Sequence, residues 1–163
     1  MSVISSKLRV PEAAKADFKS VSIPTILVIE DNLADVFLFR HAFDGLGEPY
    51  LLEVLTDGEA ALAFVAEHRS GARKPEPCVI LLDLHLPKYN GLEVLAAIRV
   101  EPPLSHIHVV ILTSGASPEE ETKMIELGGI CRIKPPDLAG IKKLAIELMD
   151  ICKGRIVRLA SSA

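Results

Sequence analysis

Short apolar runs alternate with amphipathic segments along most of the chain. Five runs are mostly apolar and are bounded by turn-forming residues, which predicts strands buried on both faces of a sheet. These runs are residues 25–29, 51–55, 78–82, 108–112 and 129–133. After four of the runs, apolar residues recur near the spacing of one helix face. After residues 108–112, a capping Ser117, Pro118 and the acids that follow predict the start of a helix. The pattern therefore predicts five strands that alternate with five helices.

Helix-capping residues stand at the start of each amphipathic segment, and they support the same division of the chain. They are Asn32, Asp57, Asn90, Ser117 and Asp137. Strands that alternate with helices are typical of a parallel sheet that helices cover on both faces. Right-handed crossovers of this size favour a flavodoxin-like (βα)5 fold, a doubly wound α/β sheet with strand order 2-1-3-4-5.

This fold accounts for residues 23–152, between an N-terminal extension (1–22) and a C-terminal tail (153–163). A short helix over residues 12–19 is compatible with the pattern of the extension. The 11 residues of the tail are too few for a DNA-binding module. We therefore expect one domain whose output passes through protein contacts.

Composition argues against a membrane-spanning protein, a secreted protein and a protein built on disulfides or cysteine-bound metals. No apolar run approaches the roughly 18 residues of a membrane span, and the N-terminus lacks the apolar core of a secretion signal, so we expect a cytoplasmic protein. The three cysteines are widely spaced, which favours buried thiols over a disulfide framework or a metal pair. His41 and His68 are expected on helix surfaces.

Charge is distributed unevenly along the chain. The net charge is −4, but residues 1–22 carry +2 and residues 153–163 carry +3, which leaves −9 between them. An acidic domain is a poor partner for the phosphate backbone of nucleic acid. We therefore expect no binding of nucleic acid by the main domain.

Polar side chains follow four of the five predicted strands. Glu30 and Asp31 come after the first strand, Asp83 after the third, Thr113 after the fourth and Lys134 after the fifth. In an open parallel sheet the carboxyl ends of the strands form one crevice, where ligands bind. Each of these residues could alone be a turn former or a solvated strand end. Their coincidence favours a site.

Three clustered carboxylates repel one another strongly. At about 5 Å and an effective dielectric near 20, each like-charged pair costs roughly 3 kcal/mol. Such a cluster takes up protons or holds a cation, and an all-oxygen ligand set with few protein groups favours Mg²⁺. The sequence therefore predicts a Mg²⁺ site beside Asp83.

These groups suit phosphoryl transfer to a carboxylate. The Asp83 carboxylate could attack phosphorus to form an acyl phosphate. Lys134 would pair with Asp83 and then with the phosphoryl oxygens, and the Thr113 hydroxyl would donate to another of these oxygens. Catalysis by this set is positioning and charge compensation.

The motifs occur in the order found in one family. The acidic pair at 30–31, the run from Asp83 through Pro87 to Asn90-Gly91, Thr113-Ser114 and Lys134-Pro135 resemble the receiver domain of bacterial response regulators over residues 24–152. Within that family, the segments 28–35 and 90–95 are most similar to stand-alone regulators that partner phytochrome-type histidine kinases.

The resemblance assigns roles by position. It implies that Asp83 is the phosphoacceptor, that Thr113 is the switch hydroxyl and that Lys134 is the site lysine. Asp31 would bind Mg²⁺ directly, Glu30 through water, and the His85 backbone carbonyl would join them. The partner would be a sensor histidine kinase, and a homodimer would use the fourth helix, fifth strand and fifth helix. Such a protein is not a turnover enzyme, although it catalyses its own phosphorylation and dephosphorylation.

One position departs from the family pattern. The family usually has Phe or Tyr three residues before the lysine, and here Cys131 stands there. His85 and Gly115 occupy positions that tune self-dephosphorylation in the family, in directions the sequence does not fix. Because of Cys131, a pseudo-receiver that is never phosphorylated stays an alternative interpretation.

Two other classes of protein fit less well. An aspartyl phosphatase or mutase typically has Asp-x-Asp, but His85 takes the second position. A flavodoxin-like FMN binder needs hydroxyls and amides after the first strand, where Glu30 and Asp31 would repel a phosphate. A signalling receiver is therefore the favoured interpretation.

Overall fold

A computed structural model describes residues 3–5, 23–72 and 76–154. The strands are β1 (Val3–Ser5), β2 (Thr25–Ile29), β3 (Leu51–Leu55), β4 (Val79–Asp83), β5 (His108–Thr113) and β6 (Ile130–Ile133). The helices are α1 (Leu33–Asp44), α2 (Gly58–Arg69), α3 (Gly91–Val100), α4 (Pro118–Glu126) and α5 (Leu138–Cys152). All five predicted strands and all five predicted helices are confirmed.

The sheet has the predicted order with one strand added. Its order is β1-β3-β2-β4-β5-β6, and β2 to β6 are parallel. Counted from β2, this is the predicted order 2-1-3-4-5. The added strand is β1, which was not predicted and which pairs antiparallel with β3 at the sheet edge. A strand of three residues is too short to show a period. The helix considered at 12–19 lies outside the described residues.

Helices cover both faces of the sheet, as predicted. On one face, side chains of α1 and α5, such as Phe39 and Leu148, pack on β2 and β4; on the other, α2, α3 and α4 supply residues such as Phe64 and Leu95. Every residue of β4 is buried. Each predicted cap side chain accepts a backbone N–H of its own helix, so each helix starts at a fixed point on the edge of the sheet.

The expectation that all cysteines are thiols is wrong for two of them. Cys78 and Cys152 form a disulfide with a Cα–Cα distance of 5.0 Å, whereas Cys131 is free. The paired residues are 74 positions apart. Spacing could not reveal the pair, because it is the strand order that brings the start of β4 beside the end of α5.

His68 is a second correction, because the structure buries it rather than exposing it on α2. Its Nδ1 lies 3.0 Å from the Phe64 carbonyl oxygen, and its ring packs on that of Phe64. His68 follows Ala61 by seven residues, so helical spacing already assigned it to the inward face. The polarity of the side chain outweighed that signal in the prediction.

Among the described residues, no helix has both the length and the apolar character needed to span a bilayer.

Candidate functional site

Four parallel strands end at the same edge of the sheet, and each delivers one of the predicted polar side chains there. Glu30 follows β2, Asp83 and Thr113 are the last residues of β4 and β5, and Lys134 follows β6. Registers that place Asp83 beside Leu112 and Thr113 beside Ile133 align these ends. The parallel register therefore brings together residues that lie up to 104 positions apart in sequence.

The Lys134 ammonium lies at the centre of the site. Its Nζ donates to Asp83 Oδ2 at 2.8 Å and to Glu30 Oε2 at 2.9 Å. A third carboxylate, Asp35 in the first turn of α1, accepts from the same nitrogen at 3.3 Å. Glu30 and Asp83 are 1% and 5% exposed. One ammonium thus balances two buried carboxylates and one half-buried carboxylate.

The acidic residues at this edge form a candidate cation site. Glu30, Asp31 and Asp83 each offer a carboxylate oxygen, and these oxygens lie within 4.8 Å of one another. Asp31 is exposed and the other two are buried, so the cluster is open to solvent on one side. Hard oxygen ligands with free positions for water suit a divalent cation such as Mg²⁺ or Mn²⁺. The donor set therefore fits the ion that the sequence predicts.

Burial and the neighbouring charges shift the pKa values of Glu30 and Lys134 in opposite directions. Desolvation raises the pKa of Glu30 to about 7, although the hydrogen bond from Lys134 lowers it. Burial alone would lower the pKa of Lys134, but its hydrogen bonds and charge interactions with Asp83 and Glu30 outweigh burial and raise that pKa. Glu30 therefore binds a proton more readily than an exposed glutamate does, whereas Lys134 stays charged.

The turn after β4 fixes the Asp83 carboxylate. The backbone N–H of His85 donates to Asp83 Oδ1 at 3.0 Å, so each carboxylate oxygen has one donor. The N–H of Gly91, the first residue of α3, donates to the Leu84 carbonyl oxygen at 2.8 Å. A Cβ at Gly91 would lie 2.5 Å from the Asp83 carbonyl oxygen. Only glycine lets α3 begin this close to the acceptor strand.

Thr113 and Cys131 stand on the neighbouring strands. Thr113 is buried, and its Oγ1 accepts the Gly115 N–H at 3.0 Å. Cys131 is half-buried, pairs in register with Ile111 and packs against the core under α2, α3 and α4. Burial raises the pKa of the Cys131 thiol. No aromatic ring stands at this position to respond to Thr113, as the sequence indicated.

Sequence reasoning missed the contact of Asp35 with Lys134. Asp35 is the third residue of α1. An acidic residue in the first turn of a helix interacts favourably with the helix dipole, so its presence there needed no further explanation. The signal that could have found it is the start of α1 directly after the acidic pair, which places the first turn of this helix at the same edge of the sheet. The structure also brings the backbone of His85 to the site, but its role as a carbonyl ligand stays a prediction.

Comparison with known proteins agrees with this geometry. The family model "Response regulator receiver domain" matches residues 26–141. Response regulator Rcp1 from Synechocystis is 39% identical over 106 residues, which cover 65% of this chain and 72% of Rcp1. The "Probable methanogenesis regulatory protein FilR2" of Methanothrix harundinacea is 43% identical over 95 residues, or 58% of this chain and 61% of FilR2.

Solved structures show the same fold. The phosphorylated cyanobacterial phytochrome response regulator RcpA has a TM-score of 0.73 at 28% identity, with 85% of this chain and 100% of RcpA covered. The Mn²⁺-bound form of Rcp1 has a TM-score of 0.70 at 33% identity, with 85% and 99% covered. Together with the family match and the motifs at the sheet edge, these likenesses lead to one conclusion: the chain belongs to the response regulator receiver family of two-component signal transduction.

Proposed function

We propose that Asp83 accepts a phosphoryl group from the phosphohistidine of a sensor histidine kinase, with Mg²⁺ bound beside it. The observation that carries this proposal is the Lys134 ammonium, which bridges Asp83 and Glu30 at 2.8 and 2.9 Å. A structural ion pair would need only one carboxylate. An ammonium held between buried acids that follow different strands is suited to binding a phosphoryl group that is added to Asp83 and later removed.

Each residue has one task in this reaction. An Asp83 carboxylate oxygen bonds to phosphorus while the phosphorus–nitrogen bond of phosphohistidine breaks, and the released imidazole keeps the electron pair and takes a proton. Lys134 pairs with a phosphoryl oxygen. Thr113 Oγ1 already accepts from Gly115, which leaves its hydrogen for another phosphoryl oxygen. A bound Mg²⁺ would neutralise charge shared by the carboxylates and the phosphoryl group.

Glu30, Asp31, Asp83 and the His85 carbonyl would hold that Mg²⁺, Glu30 through water and the others directly. The oxygens of the three carboxylates already lie within 4.8 Å of one another, which suits a small cation that keeps several waters. The same groups would later position water for hydrolysis of the acyl phosphate. The chain would thus catalyse its own phosphorylation and dephosphorylation.

The names of the relatives support the choice of partner. Rcp1 and RcpA are response regulators, and the latter is named for a cyanobacterial phytochrome. We propose that the partner here is a cytoplasmic, phytochrome-like histidine kinase, and that phosphorylation changes contacts with other proteins rather than with nucleic acid.

The test uses a small phosphoryl donor, so it needs no identified kinase. The protein is incubated with acetyl phosphate and Mg²⁺, and its intact mass is measured. We expect one phosphoryl adduct, which does not form when EDTA is present during the incubation and is absent in Asp83→Asn. Asp150→Asn, a change on α5 away from the site, is the matched control and should keep the adduct. An adduct that survives Asp83→Asn, or turnover of a generic phosphate ester, would contradict the proposal.

A further inference from the structure

A second cleft opens at the end of the sheet opposite to Asp83. It has a volume of about 560 Å³ and is lined by apolar side chains such as Pro24 and Met149, by the acids Glu48 and Glu76, and by both Cys78 and Cys152. Cys78 immediately precedes β4, whereas Asp83 ends it. A strand of this length separates the two places by about 16 Å.

The disulfide is the chemically reactive group of this cleft. Both cysteines are only partly buried, and both line the open volume. Thiol–disulfide exchange requires that a thiolate reach one sulfur of the bond. A bond on the wall of an open cleft meets this requirement, whereas one enclosed in the core would need prior unfolding.

The cleft also offers a hydrogen-bond acceptor to the thiol of a reduced Cys78. The Cys78 Sγ lies 3.2 Å from the Thr25 carbonyl oxygen, which already accepts the Cys78 backbone N–H at 2.8 Å. A carbonyl oxygen has two lone pairs, so it can also accept from the S–H of a reduced Cys78. The thiol therefore has a hydrogen-bond partner in place without any movement of β2 or β4.

We propose that Cys78 and Cys152 form a reversible thiol–disulfide exchange site, reduced by a dithiol that enters this cleft. The inference rests on the proposed function in one respect. A receiver that works with a cytoplasmic kinase sits where glutathione and thioredoxin keep thiols reduced, and disulfides there are usually transient. The disulfide of the structure and the thiols expected from the sequence are then two states of one pair.

The exchange is a two-electron step. A thiolate of the dithiol bonds to one sulfur of the pair as the Cys78–Cys152 bond breaks, and the departing cysteine takes a proton from solvent. The second thiol of the reductant then attacks the mixed disulfide and releases the other cysteine. The protein gains two thiols, and the reductant becomes a disulfide.

Reduction removes the covalent link between the end of α5 and the start of β4. The bond joins residues 74 positions apart, and that interval contains Asp83, Thr113 and Lys134. Leu144 and Leu148 keep α5 packed on the sheet without it. The last turn of α5, which ends at Cys152, is then held only by its contacts, so the reduced form should open there first.

The test is a redox titration of the folded protein. Samples are equilibrated in native buffer at stepped ratios of reduced to oxidised dithiothreitol, alkylated in denaturant, and measured by intact mass. We expect one alkyl group, on Cys131, under oxidising conditions and three under reducing conditions, with full reversal on reoxidation. Cys131→Ser is the control and should change these numbers to none and two.

A second readout follows the end of α5. Hydrogen exchange of residues 149–152 should become at least about tenfold faster on reduction, while exchange in α4 stays unchanged. One label after equilibration at every ratio in native buffer, and three labels only when denaturant is present during the equilibration, would overturn the proposal, since the bond of the folded protein would then be inaccessible. Three labels under oxidising conditions would overturn it as well. The acetyl phosphate assay on the same samples separates the two proposals, because phosphorylation reports on Asp83 alone and labelling on the cysteines alone.

Discussion

At the scale of single residues, the site depends on how one ammonium and a divalent cation share several carboxylates. Lys134 forms ion pairs with Glu30, Asp83 and Asp35. Asp31 joins Glu30 and Asp83 in the cluster of candidate cation ligands. Removal of one partner from a buried ion pair leaves an uncompensated charge, which costs far more than the loss of a surface pair. Substitutions in this site should therefore lower the free energy of unfolding much more than substitutions of similar charged residues on the surface.

Lys134→Met should destabilise the metal-free protein by about 3 kcal/mol, because two buried carboxylates lose their counter-charge. Mg²⁺ should then stabilise the variant more than it stabilises the wild type, since a cation again balances the acids. Denaturant unfolding with and without Mg²⁺ measures both effects.

Lys88→Met is the matched control for this measurement. Lys88 Nζ pairs with Asp57 at 3.0 Å and Glu59 at 2.5 Å on the surface, so its loss should cost no more than about 1 kcal/mol. Equal losses of stability in the two variants, or an equal response to Mg²⁺, would show that Lys134 holds no special charge balance.

Asp31→Asn should weaken Mg²⁺ binding by at least about tenfold, because it removes one of the few protein oxygens on a weakly held ion. Asp35→Asn is the control, since Asp35 contacts Lys134 but does not belong to the cluster of candidate ligands. Titration calorimetry with Mg²⁺ compares them. If Asp35→Asn weakened binding as much as Asp31→Asn, the metal would lie nearer to α1 than we propose.

At the scale of elements, close approach between the end of β4 and the start of α3 sets the geometry of the acceptor turn. Gly91→Ala should lower the free energy of unfolding by about 1–3 kcal/mol, because the new Cβ would overlap the Asp83 carbonyl oxygen and the Leu84 Cα. It should also reduce phosphorylation by acetyl phosphate, since the turn that orients Asp83 must shift.

Gly115→Ala gives the comparison for that change. Gly115 lies in the loop after β5 at the same edge of the sheet, and a Cβ there would meet no atom within 4 Å. Its stability should change by less than about 1 kcal/mol. A similar loss in both variants would mean that loop entropy, rather than the approach of α3 to β4, limits these positions.

The elements were the most predictable part of the molecule. Apolar runs define strands and polar caps define helix starts through local physics, so Asn32 and Ser117 marked the helices they cap. The carboxyl ends of parallel strands meet at one edge, so the sequence alone was enough to predict that Asp83 and Lys134 lie together. Features that depend on pairing at a distance were missed: β1 on its edge and the Cys78–Cys152 bond.

At the scale of the whole molecule, the edge strand β6 and the helices before and after it in sequence carry exposed apolar side chains. Ile125 on α4, Ile133 on β6 and Ile146 on α5 are 71%, 78% and 49% exposed, and β6 is an edge strand. An edge strand with exposed apolar neighbours is a favourable surface for a second copy. We propose that the receiver homodimerises through this surface when it carries a phosphoryl group.

Ile133→Lys should prevent this association, because it places a charge at the centre of the apolar surface. Sedimentation velocity with beryllofluoride as the phosphoryl mimic should show a dimer for the wild type and a monomer for the variant. Phe37→Lys, at a comparably exposed apolar residue on α1, should still dimerise. A wild type that stays monomeric at high concentration with the mimic would remove the dimer from the account.

The proposed chemistry requires that Asp83, among all the acidic residues, carry the phosphoryl group. Borohydride reduces an aspartyl phosphate to homoserine at the modified position, so peptide mass spectrometry after donor, Mg²⁺ and borohydride locates it directly. We expect homoserine at position 83, dependent on Mg²⁺ and on Lys134. Homoserine at another aspartate, or unmodified Asp83 after full treatment, would contradict it.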